Sequence, residues 1–251
     1  MKYQKIAAIN LSGNVGKTTL CINLCDAFMA DAKYLSVEMR NTSAADHIQS
    51  LDMEEFAAAE FKTVFREIMI NDKVIVDVGS SNIFPFMDEL MRYKSAIGEL
   101  DLILVPTTPP EKQQKDTIAT IEWLHKLGFP ANKIRVVFNL YPSLDNKDMA
   151  LVYSYVFGYA MADGKSKATF EPHIVVAENE VFETMQVQRK NIREIASDKT
   201  DWKAMRVEAK AAEDMDALEV AMDGQMAQDL AMTAQANLAQ AAEMLFGKGN
   251  K

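Results

Sequence analysis

Apolar residues along this chain fall into two textures: short uninterrupted runs, and longer stretches in which they recur every third or fourth position. The first run, 6–9, is rich in isoleucine and ends at Asn10, Ser12 and Gly13, so it reads as a buried strand entering a turn. From Lys17 the period becomes helical, with Leu20, Leu24, Ala27 and Phe28 sharing one side as far as about residue 30. The alternation continues with a strand at 34–37, a helix over 54–69, a strand at 74–78, a helix over 86–97, a strand at 102–105, a helix over 112–127 and a strand at 134–138. Strands that are apolar on both faces, separated by amphipathic helices, predict a doubly wound α/β fold: a mostly parallel sheet with helices on both faces.

Beyond Asn139 the texture changes. An aromatic-rich helix is predicted over 144–162, a last strand over 172–176 and a further helix over 179–195. From 202 to 246 alanine, methionine, glutamine and acidic residues dominate, which favours helix, with a kink or break at Gly224. The chain is thus expected to divide into an α/β domain over 1–200 and a helical C-terminal extension over 201–251.

Composition narrows the function. A chain of 251 residues can bury a full core, and a formal charge of -9 argues against non-specific neutralisation of a nucleic-acid backbone. DNA contact would need a local basic patch, of which Lys165 with Lys167 and Arg189-Lys190 with Arg193 are modest examples, or a partner protein. Cys21 and Cys25 stand one helical turn apart and read as buried free thiols. His47, His125 and His173 are too dispersed for a zinc site. With no signal-peptide pattern at the N-terminus and no apolar run long enough for a bilayer, the expected location is the cytoplasm. The run 231–246 lacks lysine and arginine, which disfavours a membrane-surface helix.

The segment that carries chemistry is Gly13-Asn14-Val15-Gly16-Lys17-Thr18-Thr19, between the first strand and the first helix. Phosphate oxygens require clustered backbone N–H donors, a helix N-terminus and a flexible cation, and this P-loop supplies all three. Lys17 would reach the terminal phosphates, Thr18 would ligate magnesium and Thr19 would bond the inner phosphate. The usual pattern has glycine where this chain has Leu11. A second landmark is Asp77, which ends the apolar strand 74–76 as the acid that orients magnesium-bound water. ATP with Mg2+ is the ligand these features predict.

Together with Val105-Pro106-Thr107-Thr108-Pro109 and Val137-Phe138-Asn139, these segments resemble the ParA/MinD family of deviant-Walker ATPases, and within it the plasmid stability proteins called StbB. The likeness runs over residues 3–200 and leaves the last fifty or so uncovered. It implies a homodimer formed with ATP, serving plasmid or chromosome partition, cell-division placement or cargo positioning through an adaptor or DNA-binding partner. It also implies that Lys17 is the phosphate lysine, Thr18 the magnesium ligand, Asp77 the magnesium-orienting acid and Asn139 the reader of the adenine edge, although a turn-forming asparagine explains Asn139 equally.

Two departures bear on catalysis. The family's signature lysine, which reaches across the dimer, is replaced by Ser12, and the two acids of its first switch become Glu38-Met39-Arg40. Phosphoryl transfer depends on placed charge and an oriented water, so hydrolysis is expected to be weak or partner-stimulated, with Arg40 as a substitute cation. Asn14 stands where glycine is usual and can adopt the left-handed conformation. Ser80, Ser81 and Asn82 occupy the second switch, as water ligands or as a helix cap. Three functions follow: a nucleotide-switched ATPase, a non-hydrolysing ATP-clamped adaptor and, last, a small-molecule kinase, for which no arginine-rich lid is evident.

Overall fold

A computed structural model describes residues 3–29, 31–37, 53–57, 60–142 and 148–247. The first strand, β1 (Lys5–Ala8), leads through the glycine-containing loop into α1 (Lys17–Leu20), which continues as a π-helical segment Cys21–Cys25 and a 3-10 turn Asp26–Phe28. Then come β2 (Lys33–Val37), β3 (Met53–Phe56), α2 (Phe61–Ile70), β4 (Val74–Val78), α3 (Ile83–Arg92), α4 (Ser95–Glu99), β5 (Leu102–Thr107), α5 (Glu111–Leu127) and β6 (Ile134–Tyr141). The remainder is α6 (Met149–Val152), α7 (Ser154–Ala162), β7 (Thr169–Ala177), α8 (Val181–Gln188), α9 (Ile192–Ala196), α10 (Trp202–Ala211) and α11 (Met215–Phe246).

The seven strands form one sheet in the order β3-β2-β4-β1-β5-β6-β7, and every pairing is parallel. A parallel sheet buries both faces, so the apolar runs read from the sequence correspond to its interior strands. Side chains of β1 alternate between the two cores: Ala7 lies in one with residues of α2, α3, α5 and α7, while Ile6 and Ala8 lie in the other with α1, α8, α9 and α11. From β1 the chain first moves toward β2 and later crosses to β5 on the other side. That reversal leaves a crevice beyond the carboxyl end of β1, where doubly wound sheets hold ligands.

Four local readings are corrected. Residues 53–56 form an edge strand paired to β2 rather than the start of a helix, because β-bridging to Tyr34–Val37 outweighs the weak helical period there. The predicted helix over 179–195 is two helices: Arg189 turns left-handed at φ 52°, and Asn191 then starts α9 with a capping box closed by Glu194. The last strand is longer than expected, 169–177. Gly224 does not interrupt α11, which runs through it; the break falls at 212–214, where Glu213 is left-handed and Asp214 caps α11. Gly224 serves packing instead, since a Cβ there would lie 2.5 Å from the ring of Trp202 on α10.

α11 covers the sheet through Ala227, Ala231, Ala234, Leu238, Ala241, Ala242 and Leu245, all buried. Its Asn237 side chain also pairs with the outer edge of β7, accepting from Ala177 N (2.9 Å) and donating to Val175 O (3.3 Å). This covers backbone groups that an edge strand would otherwise leave open. No helix among the described residues is long and apolar enough to cross a membrane.

Candidate nucleotide site

The loop after β1 is pinned before it is shaped. Asn10, fully buried, donates to Pro106 O (2.7 Å) and the Thr117 hydroxyl (2.9 Å), and its own oxygen accepts from Ser12 N (2.7 Å). The Thr120 hydroxyl accepts from Leu11 N at 3.0 Å. One side-chain amide and two threonines of α5 thus tie the loop entrance to β5, where the usual pattern would rely on a first glycine. Asn14 and Gly16 are left-handed, at φ 56° and 82°. Gly16 is required for a second reason: a Cβ there would lie 2.2 Å from Asn139 Nδ2.

Around this turn the backbone N–H groups of Gly13, Asn14, Val15 and Gly16 donate to no acceptor among the described residues, and no side chain caps α1. An array of unpaired N–H groups at a helix start is a favourable environment for an anion. Lys17 folds back over the loop, 7% exposed, with its ammonium donating to Ser12 O (2.8 Å) and Asn10 O (3.3 Å). Its neighbours on the open side are Thr18, Thr19, Gly79 and Ser80, lining a cavity of about 560 Å3 that extends to Leu140 and Phe182. That volume lies within the range of about 300–1,000 Å3 usual for small-molecule sites.

Asp77 lies on β4 directly opposite Ala8 of β1, which places its carboxylate beneath the loop. It is fully buried, and its Oδ2 accepts from the Tyr34 hydroxyl at 3.2 Å. Burial pushes its pKa above the ordinary carboxylate value, while the Thr18 hydroxyl, the Lys17 charge and the Tyr34 hydroxyl pull the other way. Among the described residues its Oδ1 has no hydrogen-bond partner, nor have Ser36 Oγ and Thr107 Oγ1, toward the ends of β2 and β5. Cys21 and Cys25 are free and fully buried, and burial raises both thiols.

The structure therefore brings together Gly13, Asn14, Gly16, Lys17, Thr18, Thr19 and Asn139 around one cavity, with Val15 buried beneath and Asp77 behind Thr18. The Asn139 side-chain Nδ2 donates to Val15 O (3.0 Å), engaging the amide with the loop backbone, while the backbone carbonyl of Asn139 accepts from the Tyr153 hydroxyl (2.8 Å). Arg40, with Glu38 and Met39, lies outside the described residues. Ser12 is buried, 2% exposed. Three residues at the candidate site carry no signal of that placement in the sequence: Asn10, which reads as a turn residue, and Tyr34 and Phe182, which read as apolar positions.

The donor set suits a magnesium nucleotide. Magnesium is commonly held by one or two protein oxygens plus substrate phosphates rather than by an all-protein cage. A threonine hydroxyl beside a carboxylate with one unpartnered oxygen, next to an N–H cradle and a lysine, matches that division of ligands. Among the described residues no group of three His, Cys, Asp or Glu comes together.

No protein-family model and no curated protein matches the chain. Among solved structures it is similar to a Cyanothece McdA variant in complex with ATP, at 12% identity and a TM-score of 0.55, covering 100% of this chain and 99% of that one. It is likewise similar to the Aquifex aeolicus cell division protein MinD (13%, 0.54, 98% and 98%) and to the Pyrococcus furiosus cell division ATPase MinD (13%, 0.54, 96% and 99%). The chain thus has the ParA/MinD P-loop fold, and the structural likeness extends over the C-terminal helices that the sequence resemblance left uncovered.

Proposed function

We propose that the chain binds ATP with Mg2+ at the loop 13–19 and works as a ParA/MinD-like switch, whose nucleotide-dependent homodimer positions or partitions a cargo, such as plasmid DNA, through a partner protein. The observation that carries this reading is the cradle of unpartnered N–H groups, flanked by Lys17, Thr18 and Asp77, in a fold shared with ATP-bound McdA. In this reading Lys17 leaves its two backbone carbonyls for the phosphates, the N–H groups take the bridging oxygens and Thr18 ligates the metal. Magnesium would neutralise phosphate charge when bound. Asp77 would hold the metal's water shell, and Leu140 and Phe182 would flank the base.

The adaptor reading has specific support from Ser12. It stands where a trans-acting lysine is expected, yet it is buried and its backbone is tied to Asn10 and Lys17. A short, buried hydroxyl cannot deliver a cation to a partner's phosphates, so intrinsic hydrolysis is proposed to be weak, with Arg40 as the substitute cation.

The test is equilibrium binding of a fluorescent ATP analogue with and without Mg2+, alongside Lys17→Ala. Lys17→Ala is expected to weaken Mg2+-dependent binding at least tenfold while the fold persists, as charged hydrogen bonds are worth about 1.5–3 kcal/mol each. Equal binding by both proteins would sink the proposal. Phosphate release and solution mass, with ATP against ADP, separate switch from clamp: release with ATP-dependent dimers supports the first, stable dimers without release the second.

A further inference from the structure

We infer that Tyr34 is a positioning residue for Asp77, holding one carboxylate oxygen so that the other is presented to the magnesium side of the loop; this rests on the nucleotide reading above. Tyr34 and Asp77 sit on adjacent parallel strands in a register that pairs Tyr34 with Ile75 and Ser36 with Asp77. Side chains two apart on a strand share a face, so Tyr34, Ser36 and Asp77 all project to the same side of the sheet. The Tyr34 ring is 1% exposed among Ile6, Leu20, Cys21 and Ile75, and its hydroxyl reaches Asp77 Oδ2 at 3.2 Å.

A phenylalanine would fill this apolar pocket without burying a hydroxyl, whose burial costs free energy unless it is bonded. The other titratable groups that act on the hydroxyl, the Cys21 and Cys25 thiols, are weak hydrogen-bond partners. The carboxylate is therefore the strong partner. The asymmetry at the carboxylate is the informative feature: Oδ2 accepts from Tyr34, and Oδ1 accepts no hydrogen bond among the described residues, although the residue is fully buried and the Thr18 hydroxyl lies close to the carboxylate. A buried acceptor left open in this way is uncommon and calls for a ligand. A carboxylate fixed at one oxygen cannot rotate freely about its last torsion, so its second oxygen meets a metal's water shell already oriented.

The experiment is a Mg2+ titration of fluorescent-ATP binding, starting from EDTA, on the full chain and on Tyr34→Phe and Tyr34→Leu, each checked by thermal unfolding. Expected is a Mg2+ midpoint raised about tenfold in both variants, with the nucleotide affinity in EDTA unchanged, the loss of one charge-assisted hydrogen bond. A merely structural role would shift both affinities together, or neither. If the wild-type chain responds to Mg2+ and the folded variants keep its midpoint, Tyr34 has no positioning role. A wild-type chain without Mg2+-dependent binding removes the nucleotide reading itself, and this inference with it.

Discussion

Asp77, proposed to face the magnesium, carries a cost in stability of its own. Its carboxyl is fully buried and its pKa lies above the ordinary value of 3.8, chiefly through desolvation. Between that ordinary value and the raised folded value, the native state keeps a proton that the unfolded chain has released. Stability in that window therefore falls as pH rises, and the loss is complete above the folded value. Asp77→Asn removes this dependence. The nucleotide-free variant is expected to be more stable than wild type at pH 7, with the difference shrinking as pH approaches 4 in denaturant titrations, while its Mg2+-dependent nucleotide binding is lost. A variant no more stable at pH 7 than wild type would show that burial of this carboxylate carries no such cost.

At the scale of elements, the contact between α10 and α11 turns on Gly224. Helix propensity alone favours alanine over glycine by about 1 kcal/mol at a mid-helix position. The Trp202 ring, however, lies against the glycine, with three ring carbons 2.5–2.8 Å from the point where a Cβ would stand. Overpacking of a fixed aromatic costs about 1–3 kcal/mol and outweighs the propensity gain. Gly224→Ala is thus expected to lower stability by up to about 2 kcal/mol and to change Trp202 fluorescence, readable beside one other tryptophan, Trp123. Stabilisation with an unchanged spectrum would contradict this packing. The same residue shows why the sequence pattern puts the break of this region in the wrong place: a glycine interrupts a helix by default, and only the partner helix reveals that the space of its missing side chain is filled by another.

For the whole molecule, α11 completes the cover that α1, α8 and α9 give one face of the sheet. Leu238 and Leu245 alone are each 3% exposed, and fully burying a leucine is worth roughly 1.5–3 kcal/mol. Removing residues 215–251 would uncover Ile174 and Val176 of β7 together with Ile192 and Ile195 of α9, and would free the β7 edge now paired with Asn237. Such a truncated chain is expected to aggregate or to unfold at least 10 °C below the intact one in calorimetry, since a loss of about 1 kcal/mol shifts the midpoint of a domain this size by roughly 2–4 °C. An unchanged unfolding midpoint would show that the helix merely decorates the surface.

Much of this was legible without coordinates, because it depends on neighbours in the chain. Continuous apolar runs such as 102–105 must be covered on both sides, and a Gly-Lys-Thr turn between strand and helix places its N–H groups and its lysine by local geometry. Those facts fixed the α/β class and the candidate phosphate loop that carries Lys17 and Thr18. The tertiary structure alone decided what depends on distant partners. Residues 53–56 became a strand because β2 offered an open edge; Asn139 was engaged by a backbone carbonyl 124 positions away; Asn10 was pinned by α5; and the phenol of Tyr34 met a carboxylate 43 positions along the chain. A periodic pattern reports which face of an element is buried, but not which polar atom waits in the interior, because hydrogen bonds between remote segments leave no repeat in the sequence.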